Sequence, residues 1–147
     1  AIEILLNMII GKSSKLYKEL YDEGKIFMTP SLDYEYARGY AHILITGQSP
    51  DPEYIYKRFK ETVNDMKKSG LDTNEFTRIK KRIYGSYVKE YNDTGDIARM
   101  FLADFFREIN SFEYLEEISI INEEYVFQVL NNVFDDKKMI ISVVKKD

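Results

Sequence analysis

The stretch Gly11–Phe27, GKSSKLYKELYDEGKIF, constrains this chain more than any other, because the apolar spacing changes there from helical to extended. Before it, Ile2, Leu5, Leu6, Ile9 and Ile10 fall on one helical face that Gly11 ends. Ser13 or Ser14 can cap a second helix, with Leu16, Tyr17 and Leu20 apolar and Lys15, Lys18, Glu19 and Asp22 outward. Gly24 stops that helix. From Ile26 to Thr46 the period is two: Leu32, Tyr34 and Tyr36 on one side, then Ala41, Ile43 and Ile45 after a turn near Arg38-Gly39. This predicts two adjacent antiparallel strands, 26–36 and 39–47.

The rest of the chain returns to helical spacing. Asp51-Pro52 is a cap followed by proline at the first helical position, and Ile55, Phe59, Val63 and Met66 form the stripe behind it. Asp72 to Glu75 has the form of a capping box, ahead of Phe76, Ile79, Ile83, Tyr87 and Tyr91. A helix from Asp93 or Thr94, DIARMFLADFFREIN, is apolar on most of its circumference and is expected to be buried. SFEYLEEISII reads as a short helix, Asn122 caps EEYVFQVLNNVF, and KKMIISVVKK reads as a buried strand over 138–145. The predicted fold is α+β, a single domain over 1–147 with helices on one face of a mostly antiparallel sheet. Phe59, Ile79, Ile83, Phe101, Phe105, Val129 and Ile141 are its expected core.

Composition narrows the chemistry. A net charge of −4 argues against a dedicated nucleic-acid binder. The longest apolar run, Ile4 to Ile10, falls far short of the roughly 20 residues that a membrane-spanning helix needs. With no signal-peptide pattern either, a cytoplasmic location is the expectation. There is no cysteine, which removes disulfides, thiol nucleophiles and iron–sulfur sites. His42 is the only histidine, and its place between Ala41 and Ile43 suits a structural role. A zinc hydrolase needs two histidines and a carboxylate, or cysteines in their place, so this stretch cannot supply a zinc site.

Other motifs fare no better. Gly11-Lys12-Ser13-Ser14 is similar to the tail of a phosphate loop, but it follows a helix and lacks the earlier glycine. No nucleophile elbow exists, and a serine triad would have to use His42. Glu123-Glu124 suit a helix N-terminus, and Lys67-Lys68 and Lys80-Lys81-Arg82 are expected on solvated faces. Tyr34, Tyr36 and Tyr40, beside Tyr17 and Tyr21, suit packing better than a binding surface.

The order of segments, LLNMIIGKSSKLYKELYDEGKIF, a strand pair, then DPEYIYKRFKETVNDMKKSGLDTNEFTRIKKRIYGSYVKE, resembles the second-lobe domains of pitrilysin/insulinase-like zinc peptidases. The resemblance implies a peptidase-lobe-like partial domain. In that family an early domain carries His-x-x-Glu-His and a later Glu that bind zinc, while later domains complete the chamber that holds peptide. This sequence has no His-x-x-Glu-His, so the resemblance implies a non-catalytic C-terminal lobe, inactive alone, with zinc in the catalytic domain of the full-length protein. It implies as partners the preceding peptidase domain or a paired subunit, and peptide substrate. It also implies that the chain starts midway through a lobe, which would leave Ile2–Ile10 exposed and prone to homo-oligomer formation. A binding or scaffolding domain of an inactive homologue is the alternative, separated by whether the preceding domain carries His-x-x-Glu-His. Many second lobes hold an Arg and, seven positions later, a Tyr that grip substrate. Here Tyr21 stands at the Arg position and Phe27 or Met28, depending on a one-residue gap, at the Tyr position. The guanidinium fork is absent.

Overall fold

A computed structural model describes residues 1–37, 39–106, 110 and 113–145. In chain order they form α1 (Ile2–Ile10), α2 (Lys15–Asp22), β1 (Ser31–Ala37), β2 (Tyr40–Thr46), α3 (Pro52–Ser69), α4 (Thr73–Glu90), α5 (Thr94–Phe105), α6 (Tyr114–Ile120) and α7 (Glu123–Val133). A short 3-10 turn, Asp136–Lys138, follows. The α+β class holds.

The starts of α2, α3, α4, α5 and α7 follow their capping chemistry. Ser14, not Ser13, caps α2, its hydroxyl accepting from Tyr17 N at 3.1 Å in a fully buried position. Asp51, Asp72, Asp93 and Asn122 cap α3, α4, α5 and α7 in the same way. The strands pair antiparallel with Leu32 opposite Ile45, Tyr34 opposite Ile43 and Tyr36 opposite Ala41, which puts the predicted apolar set on one face. Gly39, at φ 95°, takes the turn; Arg38, the other turn residue of the prediction, lies outside the described residues.

The core is built around α1. Ile4, Leu5, Leu6, Met8, Ile9 and Ile10 are all buried, and α1 packs on α2, α3, α4, α7 and β1. This overturns the expectation that Ile2–Ile10 is exposed and drives self-association. Apolar side chains cover most of the helix surface, so the other elements wrap it, and no apolar stripe is left for a second copy. Gly11 closes the helix where space is tight: a Cβ there would lie 2.5 Å from the Asn7 carbonyl oxygen. Phe59, Ile79 and Ile83 are buried as expected, and Val129 packs partly buried against the same cluster.

Two further expectations fail. The stretch 138–145 forms no third strand. Tyr56 Oη donates to the Met139 carbonyl at 2.8 Å, but beyond it Ile140 and Val144 are 90% and 97% exposed and Ile141 is also exposed. A β-branched run becomes a strand only where a ladder partner is available, and the sheet among the described residues is β1–β2 alone. Likewise α5 is not buried. Phe101 and Phe105 are 47% and 64% exposed, so neither is a core residue, and its one buried side chain is Asp104.

Two lysines expected in solvent instead satisfy carbonyls. Lys80 Nζ donates to the Ser119 and Ile121 carbonyls at 2.8 and 2.6 Å, and Lys67 Nζ donates to that of Phe134. The accepting carbonyls lie at the C-terminal ends of α6 and α7, where orphan carbonyls attract cations.

Candidate functional site

The junction from α2 to β1 is assembled by its own glycine and by two ionic clamps to α3. After α2 the chain turns at Gly24, φ 67°, and the amides of Lys25 and Ile26 both reach back to the Leu20 carbonyl, at 2.8 and 3.3 Å. Ile26 is buried and pins the exit. Lys25 Nζ then meets Asp51 Oδ2 at 2.8 Å and sits 4.9 Å from the Tyr54 ring centroid. Their shared hydrogen bond raises the Lys25 amine above its usual range and holds the Asp51 carboxyl below its own. Farther back, Arg58 bridges Glu19 at 2.8 Å and Glu61 at 2.7 Å.

This shelf presents apolar side chains to solvent. Tyr21 is exposed and stacks on buried Tyr17, with centroids 6.1 Å apart. Phe27 and Met28, just past the buried Ile26, are 70% and 62% exposed. Tyr21 and Phe27 therefore lie on the surface on either side of Gly24, on one anchored junction. They offer contact area and a phenolic hydroxyl but no acid–base pair.

His42 is exposed on β2, with Nε2 3.5 Å from Glu35 Oε2 and its ring stacked on Tyr40. No group of three or more His, Cys, Asp or Glu among the described residues can hold a metal ion. With one histidine and no cysteine in the sequence, these residues do not fit a zinc site.

A second polar constellation was not anticipated from the sequence. Asp104, 3% exposed, accepts from Tyr114 Oη at 3.0 Å, while the Tyr114 and Tyr36 hydroxyls lie 3.5 Å apart. Tyr87 stacks on Tyr114 with centroids at 5.5 Å. Burial, with nearby Glu3 and Glu90, pushes the Tyr87 phenol up to about 12. Burial and the hydrogen bonds to Tyr36 and Asp104 raise Tyr114 well above the usual phenol range. The signal was present as one acid inside MFLADFF, a stretch otherwise apolar.

These tyrosines set an alkaline limit. An unfolded phenol ionises near about 10, whereas the folded Tyr87 keeps its proton to about 12. Above pH 10 the folded state binds more protons than the unfolded one. The stabilisation is complete below about 10 and is lost as pH rises toward 12. Denaturant melts across that window should show falling stability, with a shallower fall for Tyr87→Phe; identical slopes would contradict this.

The comparisons with known proteins bear on the whole assembly. Residues 1–83 match the family described as the Peptidase M16 inactive domain. The chain belongs to that family. A zinc protease of Bacillus subtilis (strain 168), YmfH, described as uncharacterized, is 27% identical over 150 residues, covering 99% of this chain and 34% of that protein. The crystal structure of a putative M16-like peptidase from Alicyclobacillus acidocaldarius superposes with a TM-score of 0.81 at 21% identity, over 87% of this chain and 31% of the other. A protease from Helicobacter pylori gives 0.78 at 18% identity, over 93% and 35%. The chain thus spans about a third of the length of these relatives. It is a non-catalytic lobe of the pitrilysin-like type. No helix among its described residues is long and apolar enough to cross a membrane.

Proposed function

We propose that this lobe forms part of the wall of a peptide-holding chamber in a longer zinc metallopeptidase, with Tyr21 and Phe27 as substrate contacts. The observation that carries this is the shelf itself. A domain of the M16 inactive family displays exposed Tyr21, Phe27 and Met28 on a junction clamped by Lys25–Asp51 and Arg58–Glu19. Zinc and the activated water belong, in this reading, to a separate catalytic domain that pairs with this one on the same polypeptide or in a partner subunit. Residues 1–147 are then the C-terminal part of a larger lobe in a cytoplasmic enzyme. The shelf contributes apolar contact and one hydroxyl to the peptide, with no proton transfer.

The test is kinetic, in the full-length protein. Tyr21→Ala with Phe27→Ala should raise KM for an unstructured peptide several-fold while zinc content stays the same. Unchanged kinetics would remove these residues from the substrate path.

A further inference from the structure

Helix α5 is turned opposite to an ordinary surface helix. Asp104, one of its two acids, is buried against Tyr114, while Phe101, Leu102 and Phe105, with Phe106 at its C-terminal end, are exposed. Phe101 and Phe105 stack at 6.3 Å, and Phe106 meets Phe105 edge-on at 5.8 Å, so the exposed side chains form one continuous surface. A monomeric helix gains nothing from this arrangement, since apolar area left in water contributes no burial. The Asp104–Tyr114 hydrogen bond joins the inward side of α5 to the first residue of α6.

We propose that the Phe101–Phe106 face of α5 is the seat of another part of the same polypeptide, outside residues 1–147, that presents an apolar surface to it. This rests on the reading that the domain is part of a longer peptidase. Two observations choose that occupant over a second copy. The chain aligns over 87–99% of its own length with relatives of which it makes up only 31–35%. The outward area is also modest: at 47%, 56%, 64% and 82% exposure, the four side chains offer on the order of 400 Å². A free, stable dimer needs about 800 Å² from each partner. Contacts between covalently linked domains hold with less, because the linkage supplies the local concentration.

The experiment places the photocrosslinker p-benzoylphenylalanine at position 105 of the full-length protein, with fragments mapped by mass spectrometry. The expected result is crosslinks, in the monomeric band, from α5 to residues outside 1–147. A dimeric band, crosslinks confined to residues 1–147, or no crosslink would overturn the proposal. Phe105→Ser should also lower the Tm of the full-length protein by roughly 2–4 °C or more, and an unchanged Tm would count against it. Neither readout requires peptide hydrolysis, so a failed substrate-wall reading is distinguishable from a failed contact.

Discussion

Leu5→Asp in α1 is expected to unfold this domain within the full-length protein. Leu5 is fully buried at the centre of a helix that packs on α2, α3, α4, α7 and β1. Truncation to alanine alone should cost about 2–5 kcal/mol, because tight neighbours cannot collapse into the space. Aspartate adds a charge in a fully buried position, and the sum approaches the about 5–15 kcal/mol that holds a whole domain together. Amide exchange across residues 1–147 should lose protection throughout, not only in α1. A variant that keeps its protection and its urea midpoint would show that α1 is peripheral and that the packing described here is wrong.

Tyr114→Phe should produce the second largest effect. It removes the hydroxyl that donates to the buried Asp104 carboxylate and leaves an acceptor inside the fold short of that donor. Hydrogen bonds to charged groups contribute about 1.5–3 kcal/mol, and that loss is expected in denaturant melts. Adding Asp104→Leu should recover part of it, since an apolar pair no longer strands a carboxylate. The double-mutant cycle therefore gives a coupling energy of at least about 1 kcal/mol if the pair holds α5 in its rotation. Additive effects would mean that the two residues act separately and that something else orients the helix.

Much of the fold was legible from local chemistry. The caps at Asp51, Asp72 and Asn122 were readable, and those at Ser14 and Asp93 to within one residue, because a cap depends on a side chain and amides two or three residues away. The strand pair and its inward face followed from a period of two and a short turn. The site positions Tyr21 and Phe27 could be named only through the resemblance. Their exposure depends on where Ile26 and the Lys25–Asp51 clamp hold the chain.

What the order of residues determined by itself was the type of the helices and of the β1–β2 pair, with their apolar content; the first strand, expected from 26, starts at Ser31. Which apolar surface is covered was decided by tertiary structure alone. Apolar periodicity says that a face must leave water, but not which neighbour covers it. Thus α1, expected to be bare, became the centre, while α5, expected to be buried, turned Asp104 inward and its phenylalanines out. The run 138–145 shows the same limit: its β-branched residues favour a strand, but a strand exists only when another backbone supplies the hydrogen bonds, and here none does among the described residues.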